Sequence, residues 1–291
     1  MKSLSKNLPR FAFALALCLV ALPHLPVAFA NVSNVSVGQT NQGSLTPLQI
    51  EIEKQTERLR SAEFDERRDA VTRLGSMRHP AASRAALPAL HDSAAIVRAT
   101  AAAAILSLSP GESGGYLIPL LADKDEFVRR EVAFALGRTH HQSAVQPLIE
   151  RLNSDKKDSV RGAAAVALGE LRDASATFSL AEILSPGSGL TSRSSKKSKK
   201  EKDLFLLRAA ARSLGQIGSS LGLPALMAAL QDEQAPDDVR REAAFALGLI
   251  GDAAAIPALR SVETARDPYL AEAAHQALRR IKRQATPARG H

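Results

Sequence analysis

The chain has 291 residues, 45% apolar and 23% charged, a balance that excludes wholesale disorder and is long enough to bury a core without covalent staples. A single cysteine excludes a disulfide framework. The formal net charge is +8, but the first ten residues hold three of these charges and one Lys-rich stretch a net four, so no basic face is implied.

Met1–Ala30 begins with Lys2, Lys6 and Arg10, continues through an apolar run, Phe11–Leu22, and ends in Ala28-Phe29-Ala30. A positive segment, a short apolar segment and an A-x-A site describe a secretory signal, expected to be cut after Ala30. The apolar run is too short to span a bilayer, and Leu17 is too bulky for a lipoprotein site at Cys18. Cleavage removes Cys18, so the mature chain is expected in the periplasm or medium without disulfide or thiolate chemistry. Residues 31–46 are polar and aperiodic and read as a disordered linker; its two Asn-Val-Ser triplets fit chance in a Ser-rich segment better than glycosylation. Thr46 and Pro47 then supply an N-cap and a first helical residue for a charged capping helix, Leu48–Ala62.

From here the chain repeats itself. Val128-Arg-Arg-Glu-Val-Ala-Phe-Ala-Leu-Gly137 returns as Val239-Arg-Arg-Glu-Ala-Ala-Phe-Ala-Leu-Gly248, with one position changed. Val128, Val132, Ala135 and Leu136 make the apolar stripe of an amphipathic helix. The leucine position recurs at Leu74, Ile105, Leu136, Leu168, Leu214, Leu247 and Leu278, with spacings of 31, 31, 32, 46, 33 and 31. Glycine follows at 75, 137, 169, 215 and 248, where it suits a left-handed cap or a close helix crossing; Leu106 and Arg279 replace it in the second and last copies. About ten residues further on, five of the units show a proline-bearing apolar pattern, at 86–90, 117–121, 145–149, 223–227 and 256–260, read as the start of a second helix. The unit is helix, loop, helix, and such units must stack to hide their apolar stripes. The fold class is therefore all-α, an α-α superhelix of about seven helix pairs over residues 47–283. A polar cap helix is expected at 267–282, and a fraying tail at 284–291.

The long interval holds residues 185–203, with six serines, two glycines, a proline and no apolar period, expected to be a disordered loop. Its Lys196, Lys197, Lys199 and Lys200 are candidates for an anionic membrane surface or polymer, against the plainer role of a solvated insertion; nucleic acid is not expected.

The string Asp-x-x-Val-Arg-x-x-Ala-Ala-x-Ala-Leu-Gly, whole or in part at Asp125–Gly137, Asp158–Gly169 and Asp237–Gly248, resembles the short HEAT-like repeats of the phycobilisome-lyase type. The resemblance covers roughly residues 48–283. It implies a HEAT-repeat solenoid; families on this scaffold include lyases, hydroxylases and adaptors. HEAT-like enzymes of the deoxyhypusine hydroxylase type place iron-binding His-Glu pairs on such helices, but here those positions read Arg130-Glu131 and Arg241-Glu242, and arginine does not ligate iron. His140 and His141 fall just past a helix end with no carboxylate cluster in the sequence around them, and read as loop histidines. Nothing matches a tetrapyrrole site.

The recurrent Arg67, Arg98, Arg129, Arg161 and Arg240 read as structural partners of recurrent aspartates between units rather than as an anion ladder. The expectation is thus a monomeric, exported, non-enzymatic scaffold without metal or cofactor. It would bind a protein or peptide through the second helices, at Arg84, Gln146, Glu150, Arg151, Gln231 and Arg260. The alternative is an enzyme related to bilin lyases or to deoxyhypusine hydroxylase-type oxidoreductases.

Overall fold

Thr46 starts the helical region as its sequence implies. Its hydroxyl accepts the Gln49 backbone N–H at 3.3 Å, and Gln49 Oε1 accepts the Thr46 N–H at 2.8 Å, a reciprocal capping box followed by Pro47. The computed structural model describes residues 45–185 and 197–285, the side chains of 197–203 and 285 excepted. The expected signal at 1–30, linker residues 31–44, insertion residues 186–196 and the tail from 286 lie outside the described residues.

Fourteen α-helices occupy the described residues, and there is no strand among them. A lone helix α1 (Pro47–Arg58) precedes six pairs: α2 (Phe64–Ser76) with α3 (Pro80–Ala86), α4 (Ala95–Ala104) with α5 (Pro110–Leu117), α6 (Glu126–Thr139) with α7 (Val145–Ser154), α8 (Asp158–Leu171) with α9 (Thr177–Leu184), α10 (Lys197–Ile217) with α11 (Leu223–Gln231), and α12 (Asp237–Ile250) with α13 (Ile256–Arg260). The last copy has only its first helix, α14 (Pro268–Ala285). First helices pack on first helices, and from α7 onward each second helix packs against the first helix of the following unit. This is an all-α HEAT-repeat solenoid, with six complete pairs and a single helix at each end where about seven pairs were expected. All seven ruler residues, Leu74 to Leu278, are buried in one continuous core.

Several boundaries differ from the sequence reading, and α1 ends at Arg58, four residues short of the expected Ala62. Residues 86–90 and 117–121 do not begin second helices in the first two units. The helices begin earlier, at Pro80 and Pro110, and close in 3-10 turns at Leu87–His91 and Ile118–Ala122. Pro88 and Pro119 have no N–H to continue an α ladder, so the chain tightens instead. The expected disordered stretch 185–203 is also cut short, because α10 begins at Lys197. Lysine and glutamate are strong helix formers, and 197–203 extends a helix already nucleated by its buried part.

The ruler glycines are crossing points, not left-handed caps. A Cβ on Gly75 would fall 2.9 Å from Ala104 Cα; on Gly137, 2.7 Å from Ala167 Cα; on Gly215, 2.7 Å from Ala246 Cα; on Gly248, 2.8 Å from Ala277 Cα. Each partner sits just before the ruler residue of the next unit. At Gly169 the partner is Ser213, whose hydroxyl donates to Ala165 O at 2.8 Å. The copy with Leu106 in place of glycine is also the one whose first helix ends early, at Ala104. Left-handed backbone comes four residues past the ruler, at Arg78, His140, Arg172, Gly218 and Gly251.

Substituting Gly137 by alanine should cost about 1–3 kcal/mol, because the obstacle is backbone and the two helices must part. Gly115 in α5 has nothing within 4 Å of its Cβ position, so Gly115→Ala should gain about 0.5–1 kcal/mol in the same chemical melts. Equal effects at both positions would refute the crossing.

Candidate functional site

The recurrent arginines resolve first. Arg98 lies on α4; its Nε and Nη2 donate to the two oxygens of Asp123, each at 2.8 Å, and its Nη1 donates to the Asp92 and Ser93 carbonyls at 2.8 and 3.1 Å. Arg67 does the same with Asp92 and the Ser61 and Ala62 carbonyls, and Arg129 with Asp155 and the Asp123 and Lys124 carbonyls. Each aspartate also accepts a backbone N–H two residues on, from Ala94, Asp125 and Lys157. One guanidinium thus ties a first helix to the end of its own unit and to the chain leaving the unit before. Arg161 and Arg240 lack an aspartate at that place and donate instead to Leu152 O and Leu230 O, at 2.8 and 3.0 Å. In the fifth unit the position is a buried Leu207. These arginines hold the stack and are not open to an anion.

Arg67 lowers the Asp92 carboxyl below its usual range, with burial opposing and the Ala94 N–H assisting. For Asp123 and Asp155 burial is the largest influence and pushes upward, but the arginine bonds, the backbone N–H and the nearby cations outweigh it and both are lowered.

The six second-helix residues are not brought together. Arg84 on α3 is bound to Glu112 on α5 through two bonds of 3.1 Å. Gln146 and Glu150 share an exposed face of α7, Arg151 is half-buried beside it, and Gln231 and Arg260 end α11 and α13. Lys197, Lys199 and Lys200 lie at the start of α10 with side chains outside the described residues, as is the whole of Lys196. The carboxylates that would have completed His-Glu pairs are held by arginine, Glu131 by Arg130 and Glu242 by Arg212.

The first helices carry a different surface. Phe127 lies under Arg130 at 4.9 Å, and Tyr269, 72% exposed, lies under Arg241 at 5.3 Å. Phe134 is half-buried on α6, Phe245 is 48% exposed at the same register on α12, and Phe205 covers Gly162. Arg208 and Arg212 stand between them, paired with Glu242. The repeats hint at this surface, since Phe134 and Phe245 each stand two residues before a ruler leucine.

The two adjacent histidines part, as expected of loop neighbours. The His141 ring packs on Gly114 of α5, while His140 lines a cleft of about 390 Å³ with Gly169, Glu170, Arg172 and Gln216. Glu170 Oε2 is buried over Gly137 with no hydrogen-bond partner among the described residues, and burial raises its carboxyl despite His140 and Arg138 nearby. Sequence reasoning missed this convergence. The signal lay in the ruler, since Glu170 and Gln216 fall two residues past it and His140 and Arg172 four.

Replacing Arg98 by alanine strands Asp123, whose side chain is 8% exposed, and should cost about 3–5 kcal/mol at pH 7. The folded aspartate is more acidic than the unfolded one, so its contribution is present above about pH 4 and lost as pH falls. Denaturant melts should therefore show the gap between variant and wild type closing in acid. Glu170→Gln has the opposite sign. The raised carboxyl favours the fold only while protonated, so the variant should gain roughly 1 kcal/mol at pH 7 and nothing below about pH 4.

Comparison with known proteins follows the same lines. The family model for HEAT repeats matches residues 116–193, and the model for the PBS lyase HEAT-like repeat matches 206–232 and 239–262. No curated protein matches the chain. Among solved structures, the Escherichia coli YibA protein is similar over 81% of this chain and 82% of its own, at 20% identity and TM-score 0.54, which supports the shared fold. The complex of CpcE and CpcF of phycocyanin lyase from Nostoc sp. PCC7120 matches at 22% identity and TM-score 0.48, over 86% of this chain and 99% of that one. Human deoxyhypusine hydroxylase matches at 20% and 0.37, over 80% and 96%. The expectation that the protein is not an enzyme is corrected here: the structures similar to this chain include a phycocyanin lyase and a deoxyhypusine hydroxylase. The chain thus carries HEAT repeats over residues 116–193, and its fifth and sixth units match the PBS lyase HEAT-like repeat.

Proposed function

We propose that the protein is an interaction scaffold that takes a protein partner along its first-helix face, and that it acts after export. The observation that supports the binding surface is the row of Phe127, Phe134, Phe205, Phe245 and Tyr269, interleaved with Arg130, Arg208, Arg212 and Arg241. Aromatic and arginine side chains are enriched where protein interfaces lose their water, because the rings bring large area at small entropic cost and the guanidinium offers directed bonds. The charged partners of these arginines sit on the same face, which leaves it mixed in sign and suited to a folded or peptide partner rather than to a polyanion. Export rests on Lys2, Lys6 and Arg10, the apolar Phe11–Leu22 and Ala28-Phe29-Ala30.

A photo-reactive phenylalanine analogue placed at Phe134 and at Phe245 should cross-link one and the same protein in the native host. The analogue at Gln146, on the second-helix face, should not. Capture from Gln146 alone would move the surface to the second helices, and capture from none of the three would defeat the reading.

A further inference from the structure

The glycine crossings are covered by a side chain from the next helix wherever one is long enough, except at the last. Glu170 lies over Gly137, Gln216 over Gly169 and Leu249 over Gly215, each two residues past its ruler position. At Gly248 that residue is Arg280, but the three nearest atoms to the Cβ position all belong to Ala277, out to 3.7 Å. Arg280 stands off the crossing, and a cleft of about 370 Å³ opens between α12 and α14. Gly248 and Ala277 form its floor, Phe245 one wall, and Arg279, Arg280 and Arg283 its rim. Of the three arginines only Arg279 has an acid partner among the described ion pairs, Glu272 at 3.0 Å.

We infer that this cleft binds an acidic peptide segment, with an apolar side chain against Phe245 and the Gly248–Ala277 floor and flanking carboxylates on Arg280 and Arg283. The inference deepens the scaffold reading and rests on it. Guanidinium groups meet carboxylates with two parallel bonds, and the volume suits one apolar side chain with its adjoining backbone. A nucleic-acid strand fits less well, since a backbone leaving the cleft along the first helices meets Glu242 and Glu131 rather than further free cations.

The test is fluorescence anisotropy on the full chain with a labelled Ser-Glu-Phe-Glu-Ser peptide. Joint Arg280→Glu and Arg283→Glu substitution should weaken binding at least about ten-fold, and Phe245→Ala several-fold. Lys156→Glu, the same kind of charge reversal at an exposed residue outside the cleft, should leave it unchanged. Replacing the peptide's phenylalanine by serine should weaken binding as Phe245→Ala does, and a single-stranded oligonucleotide should not compete. Equal losses in Lys156→Glu, effective competition by the oligonucleotide, or no binding would overturn the inference. Binding that responds to Phe134→Ser but not to the arginine reversals would also overturn it while leaving the wider first-helix surface standing. If in addition the cross-links at Phe134 and Phe245 capture nothing, both readings fall.

Discussion

Consecutive first helices in this protein touch backbone to backbone. The contact is a glycine of one helix against a small residue of the next, with no room for a methyl group at the crossings of Gly75, Gly137, Gly215 and Gly248. Close packing at that point sets the distance between units and lets the ruler leucines of neighbouring helices share one core. The rest of the stack is built around the spacing. A bidentate arginine can reach from a first helix to the end of its own unit and back to the preceding carbonyls only while the helices stay that close. The same spacing leaves narrow furrows above the crossings, which Glu170, Gln216 and Leu249 fill.

The helix ends follow from the same economy of polar groups. Four carbonyls at a helix C-terminus have no partner within the helix, and buried ends must find one elsewhere. Just past those ends, Arg67, Arg98 and Arg129 donate to carbonyls of the connecting turns, Ser61, Asp92 and Asp123, and use their remaining N–H groups on the aspartate at the end of their own unit. That aspartate in turn accepts the next free backbone N–H. The motif is therefore a joint between two chain ends rather than a surface ornament, and its recurrence needs no ligand to explain it.

Much of this was legible in the residues. The doubled ten-residue string and the leucine ruler placed every first helix, and Thr46-Pro47 placed the first N-cap. They are strong local signals that agree with the global packing. What escaped was decided by competition between neighbours in space. Pro88 and Pro119 open a turn rather than a helix because a helix already begun at Pro80 or Pro110 reaches them. Arg78, His140 and Arg172 adopt left-handed backbone although nothing in their chemistry asks for it; the chain must turn at that register in every such unit. The cleft of His140, Glu170, Arg172 and Gln216 draws on three helices, and no run of sequence displays it. The aromatic and arginine residues of the first helices were visible one by one, but their common face required the stack.

The fifth unit carries Leu207 where its neighbours carry arginine. Among the described residues, the Asp232 carboxylate, which closes that unit, accordingly accepts the Gln234 N–H and no arginine. The adjacent interface relies on Ser213 bonded to Ala165 O and on Phe205 laid over Gly162, neither of which titrates. Arginine-aspartate joints occupy the first three units, and Arg241 on α12 bonds Asp267 just before α14. The solenoid is thus zoned with respect to acid. Acid therefore weakens the joints at Asp92, Asp123, Asp155 and Asp267, whose carboxyls are held below their usual range, while the crossing of α8 with α10 has no such joint to lose.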